Sequence, residues 1–142
     1  MSDRRRVTLV TFGFKYGPPP TNHYFDVSFL KNPARDARWS LFSSPDGEMR
    51  DFVMAQPAAR AFVERASDFV AFLADLDDDV RVGLGCNAGR HRSVLLAQAL
   101  ADALSEKGFE VVLVHRERTF ESQGELHRPA DGEAPAHRLR AV

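Results

Sequence analysis

Apolar residues fall into short, separated runs along the chain. Val7-Thr8-Leu9-Val10-Thr11-Phe12 is rich in β-branched residues and stops at Gly13, which predicts a buried first strand. Residues 13–20 then carry two glycines and three prolines, so the backbone turns sharply and cannot supply continuous sheet hydrogen bonds. This is a predicted loop bearing Lys15 and Tyr16. Phe25-Asp26-Val27-Ser28-Phe29-Leu30 alternates, with Phe25, Val27 and Phe29 on one face and Asp26 on the other, and it stops at Asn32-Pro33, as a second short strand would. Residues 34–57 mix Pro, Ser, Asp and Gly around Trp39 without a sustained period, which predicts an irregular surface excursion with Trp39 covering core.

From Pro57 the period changes. Phe62, Val63, Ala66, Phe69, Val70, Leu73 and Leu76 recur at helical spacing until Asp77-Asp78-Asp79, which predicts a helix with three acids at its C-terminal end, the unfavourable end for negative charge. Val80 to Cys86 reads as a strand, Val94 to Leu104 as a helix closed by Gly108, and Phe109 to His115 as another strand. Strand, glycine-containing loop, helix and strand within about 35 residues form a βαβ unit, which requires a parallel sheet and a right-handed crossover. The predicted fold class is therefore α/β, a small parallel-sheet βαβ domain over residues 1–120 with helices packed on the sheet. Beyond Phe120 apolar residues almost vanish, and 121–142 reads as a loosely ordered polar tail.

Composition narrows this picture only in places. A chain of 142 residues with 44% hydrophobic positions has the size of one compact domain. Nineteen basic against twenty acidic side chains give a net charge of −1, so no bulk charge attracts nucleic acid. The single cysteine, Cys86, forms no intrachain disulfide, and no leader or long apolar run stands out, so a cytoplasmic protein without membrane attachment is expected.

Chemistry concentrates in Gly85-Cys86-Asn87-Ala88-Gly89-Arg90-His91-Arg92-Ser93, the predicted connection from strand to helix, where open α/β sheets bind ligands. Amides at a helix start attract anions, and a guanidinium in the first turn pairs with phosphate in bidentate fashion. Arg92 is the leading candidate, with Ser93 as a second donor. The segment also fits C-x5-R, in which a thiolate attacks a phosphoryl group held by the same amides. On that reading Cys86 is the nucleophile, Arg92 the clamp, and Asp46 or Asp26 the acid that protonates the leaving oxygen. The alternative makes Cys86 a small apolar residue ending a buried strand. Cys86, His91 and His115 lack the paired spacing of a zinc site and a fourth ligand, so neither a metal nor another cofactor is expected.

His115 and Arg116 follow the last strand and are expected at the same sheet edge, together with Lys15 as a phosphate cation and Tyr16 as a stacking or hydroxyl partner. A third reading, RNA binding without a small ligand, draws on Arg4 to Arg6, Lys15, Arg90, Arg92, Arg116 and Arg118.

Phe12 to Gly17, Phe25 to Pro33, Gly85 to Val94 and His115-Arg116, in this order and spacing, resemble the C-terminal domain of the RapZ RNase-adapter family over roughly residues 7–118. The resemblance implies a phosphofructokinase-like α/β domain that senses glucosamine-6-phosphate and, in enterobacterial members, binds small RNAs and presents one to RNase E. It places the sugar-phosphate site on Cys86, Asn87, Ala88, Gly89, Arg90, His91, Arg92 and Ser93, and it implies RNA or protein partners and a homodimer. No G-x4-G-K-[ST] segment occurs, so ATP binding is not carried over, and the chain resembles a C-terminal domain standing alone. Three departures stand out. Asn87-Ala88-Gly89 replaces the family's Thr-Gly-Gly, which bears on ligand preference. Ser43-Ser44-Pro45-Asp46 keeps only the acid of Thr-Gly-Leu-Asp, and Glu121, Glu125, Asp131 and Glu133 interrupt the basic tail that the RNA reading needs.

Overall fold

The computed structural model of the chain describes residues 5–40 and 42–118, with the backbone of 125–126. Strand β1 (Arg6–Gly13) is buried at every position after the first, as a central parallel strand covered on both faces must be. It pairs in parallel with β3 (Asp79–Cys86) on one side and β4 (Glu110–His115) on the other. β2 (His23–Asp26) lies parallel on the outer side of β3, and the two-residue β5 (Glu125–Leu126) pairs antiparallel with β4, giving the order β2-β3-β1-β4-β5. The α/β class and the parallel sheet follow the periodicity of the sequence.

Helices α1 (Gly47–Met54), α2 (Pro57–Leu76) and α3 (Arg92–Glu106) complete the domain. Alternation along the strands sorts the side chains: Val7 and Leu9 join Val82, Leu84, Val111 and Leu113 in the main core with Val70, Leu73, Leu96 and Leu100 of the helices. Val10, Val112 and Val114 form a separate small cluster. Each such side chain contributes about 1.5–3 kcal/mol on full burial. α2 begins at Pro57, whose missing N–H costs nothing in the first turn. α3 closes through Gly108 at φ +97, with the Gly108 and Phe109 amides donating to the carbonyls of Ser105 and Leu104.

Three expectations are corrected. The second strand covers residues 23–26 rather than 25–30, because the Asp26 carboxylate accepts the Ser28 N–H at 2.9 Å and turns the chain out of the sheet. The 34–57 excursion is not wholly irregular: Asp46 caps α1 by accepting the Met49 N–H at 2.9 Å, and Met49 and Val53, four apart, bury its inner face. Such a helix is too short for its period to stand out from the flanking turns. α3 starts at Arg92, two residues earlier than the apolar pattern indicates. Trp39 does pack on the core, 5.4 Å from the Phe52 ring. The expected 121–142 tail lies outside the described residues apart from the β5 backbone. Among the described residues no helix is long and apolar enough to cross a membrane.

Candidate functional site

The connection from β3 to α3 is held against the end of β1 by backbone packed on backbone. A β-carbon on Gly13 would lie 2.5 Å from the Ala88 carbonyl carbon, and one on Gly89 would lie 2.5 Å from the Gly13 nitrogen. Gly89 also sits at φ +74, which L side chains rarely adopt. The Lys15 N–H donates to the Asn87 carbonyl at 3.3 Å, and the Gly13 N–H donates to Glu117 Oε2 at 2.9 Å. These contacts leave the loop little freedom where it enters α3.

The loop borders a concavity of about 290 Å³, counting space open to solvent, lined by Asn32, Cys86, Asn87, Ala88, Arg90, His91 and Arg92. Among the described residues two arginines and no carboxylate line it, and the first turn of α3 opens there, so the local field of these residues favours an anion. Arg92 is half-buried, and its Nη1 donates to the carbonyls of Ser28 at 2.9 Å and Leu30 at 3.2 Å. Its Nε and Nη2 hydrogens have no protein partner among the described residues, so the guanidinium is oriented by one nitrogen and can bind through the others. Arg90 stands 5.9 Å from the ring of the exposed Phe42 at the rim. Cys86 and Ser93 are both buried, with the thiol donating to Ser93 Oγ at 3.3 Å.

His91 precedes α3, is buried, and its Nε2–H donates to the Ser43 carbonyl at 2.7 Å, tying the excursion to the site. Burial holds its pKa below the ordinary 6.5; the Ser43 bond opposes this, while Arg90 and Arg92 reinforce it. Below pH 6.5 the unfolded chain therefore binds a proton that the folded chain refuses, and stability falls with pH until the lower folded-state pKa is passed. The melting temperature is expected to decline from about pH 8 to about pH 5.5, and His91→Gln, which retains a donor for Ser43, is expected to flatten that decline. Equal slopes in both proteins would assign the pH dependence elsewhere.

Of the remaining sequence candidates, Lys15, Tyr16, His115 and Arg116 lie around the end of β1, whereas Asp26 ends β2 and Asp46 precedes α1. Lys15 and Tyr16 are exposed on a 3-10 turn, with Lys15 Nζ 5.3 Å above the Tyr16 ring. His115 Nδ1 lies 2.8 Å from Thr11 Oγ1, and Arg116 donates to the Gly17 carbonyl at 2.7 Å and to Glu117 at 2.6 Å. Asp26 is exposed and engaged with Ser28. Asp46 is the cap of α1, with Oδ1 accepting the Met49 N–H at 2.9 Å. None of these side chains lines the concavity around Cys86. Among the described residues no group of three or more His, Cys, Asp or Glu side chains could hold a metal ion.

Sequence reasoning missed Asn32, Ser43 and Glu117. Asn32 reads as a turn residue before Pro33, and it does accept the Ala34 N–H at 3.0 Å, yet it also lines the concavity. Ser43 contributes through its carbonyl, which no side-chain motif signals. Glu117 is adjacent to the recognised His115-Arg116 pair, and its role in holding Gly13 depends on the pairing of β1 with β4.

The sequence profile of the RapZ C-terminal domain matches residues 5–119. A nucleotide-binding protein of Oleidesulfovibrio alaskensis is 42% identical over 117 residues, covering 78% of this chain and 40% of that protein. One from Rubrobacter xylanophilus is 42% identical over 130 residues, covering 86% and 43%. One from Dictyoglomus thermophilum is 37% identical over 117 residues, covering 78% and 40%. The chain thus spans about two fifths of the length of the curated relatives it matches.

Proposed function

Because the chain belongs to the RapZ C-terminal domain family, which supports a regulatory binding role, we propose that it binds an amino-sugar phosphate such as glucosamine-6-phosphate on the Cys86 to Ser93 loop. The observation that carries this reading is the concavity itself, with Arg90, Arg92 and the first turn of α3 on its wall and, among the described residues, no carboxylate. In this reading the phosphate lies against the α3 amides and the Nε and Nη2 hydrogens of Arg92, while the amides of Asn32 and Asn87 face the sugar hydroxyls. The name carried by the relatives describes proteins of which this chain matches two fifths, and the 142 residues hold no G-x4-G-K-[ST] segment. The concavity therefore carries the proposal, not nucleotide binding.

The rival is a cysteine-dependent phosphatase with Cys86 as nucleophile. Cys86 is among the residues that line the concavity, but it is only 3% exposed, and the thiol hydrogen is directed at Ser93. Phosphorus NMR of glucosamine-6-phosphate separates the two readings, since one spectrum reports binding and turnover. The expected result is a shifted or broadened signal with no inorganic phosphate, for wild type and for Cys86→Ser alike. Phosphate release by wild type that is lost in Cys86→Ser would make the protein an enzyme, and an unperturbed signal would remove the ligand.

A further inference from the structure

His91 stands between Arg90 and Arg92 in the chain, immediately before α3. It lines the concavity, yet the residue is 3% exposed, and its Nε2 donates to the Ser43 carbonyl at 2.7 Å. A carbonyl oxygen only accepts, so this bond fixes the proton of the neutral ring on Nε2 and leaves Nδ1 with a lone pair. Nδ1 caps no amide of α3 and has no partner among the described residues. Nor is it sealed from solvent, since Gln56 Nε2 is the fully buried side-chain atom without a partner among those residues.

The surroundings of the ring oppose a second proton in the free protein. Burial does so most, Arg90 and Arg92 act in the same direction, and the Ser43 bond favours the charged form. Around the same concavity Asn32 brings an amide and Cys86 a thiol bonded to Ser93, while Asp46, three residues after Ser43, gives Oδ1 to the Met49 N–H. A phosphate dianion reverses this balance. Its charge offsets the two guanidiniums, and its oxygens carry no hydrogen, so against Nδ1 they set acceptor against acceptor. One proton between the two turns that repulsion into a charge-assisted hydrogen bond.

We propose that binding on the Cys86 to Ser93 loop takes up one proton, held between His91 Nδ1 and a phosphate oxygen, so that occupancy of the site depends on pH. The linkage rests on the loop binding a sugar phosphate. Neutral imidazole, a phosphomonoester dianion and one proton from solvent give the bound pair, and no covalent bond between heavy atoms changes. A phosphomonoester loses its second proton near about pH 6, so below that pH the ligand brings the proton itself and above it the solvent supplies it. Affinity is therefore expected to fall as pH rises above about 6.5, by at most about tenfold per pH unit, the limit for one linked proton.

Isothermal titration calorimetry of the whole chain with glucosamine-6-phosphate at pH 7, in buffers of different ionisation enthalpy, counts the protons taken up on binding. Wild type is expected to take up about half a proton or more beyond His91→Gln, which keeps a donor for Ser43 but does not titrate. Wild-type affinity should fall several-fold from pH 6.5 to pH 7.5, and that of the variant by much less. Nitrogen NMR of the wild-type imidazole needs no variant: Nδ1 is expected to be unprotonated in the free protein at pH 7 and to move toward the protonated position when ligand is added. Equal proton counts in wild type and variant, or an Nδ1 signal indifferent to bound ligand, overturns the inference and leaves the ligand reading standing. A wild type that binds no glucosamine-6-phosphate overturns both.

Discussion

Arg92→Ala is expected to lower affinity for glucosamine-6-phosphate by about 10- to 100-fold, which isothermal titration calorimetry measures directly. A hydrogen bond to a charged partner contributes about 1.5–3 kcal/mol, and tenfold in affinity corresponds to about 1.4 kcal/mol. The same guanidinium holds the Ser28 and Leu30 carbonyls, so the variant also loses the anchor of the turn after β2. Arg92→Lys separates the two contributions. It keeps the positive charge but cannot hold a carbonyl and form a bidentate phosphate pair at once. Affinity should fall in both variants, and by more in alanine. Unchanged affinity in Arg92→Ala would place the anion site elsewhere.

Gly89→Ala is expected to destabilise the fold by about 2–5 kcal/mol and to abolish ligand binding, measured by urea unfolding and by the same titration. Two costs combine: a left-handed backbone costs an L residue roughly 1–2 kcal/mol, and forcing a methyl into filled space adds about 1–3 kcal/mol. The obstacles are the Gly13 nitrogen at 2.5 Å and the Phe12 carbonyl carbon at 2.6 Å, which are backbone atoms of the central strand and cannot swing aside. Gly13→Ala isolates the second cost, since Gly13 is not at positive φ but meets Ala88 at 2.5 Å. It should therefore destabilise by less. A Gly89→Ala protein as stable as wild type would mean that the turn is free to move, and the loop would then not be a preformed site.

Local pattern reveals an element when the pattern repeats often enough to exclude its rivals. The 20 residues of α2 and the eight of β1 do this, whereas the eight of α1 do not. A helix that short has two turns to display its period, and its start depends on one cap, Asp46, in a segment crowded with other turn residues. The end of β2 at Asp26 is hidden from the sequence for a related reason. Apolar alternation continues through Phe29, but the Ser28 backbone N–H donates to the Asp26 carboxylate, and the chain turns away from β3 after Val27.

Sequence by itself determined the α/β class, the parallel βαβ unit and the basic loop from Cys86 to Ser93, because each depends on residue order within one element or one connection. Tertiary structure alone decided what each charged group does. It gives Asp46 to a helix cap, fastens His91 to the Ser43 carbonyl, and divides Arg92 between two carbonyls and the concavity. It also separates Lys15, Tyr16, His115 and Arg116 from the lining around Cys86 although all follow strand ends at one edge. The physical reason is reach. Periodicity along the chain records which face of an element is buried, but a hydrogen bond between residues 48 or 62 positions apart exists only once the sheet has brought their backbones within 3 Å or so of the side chain.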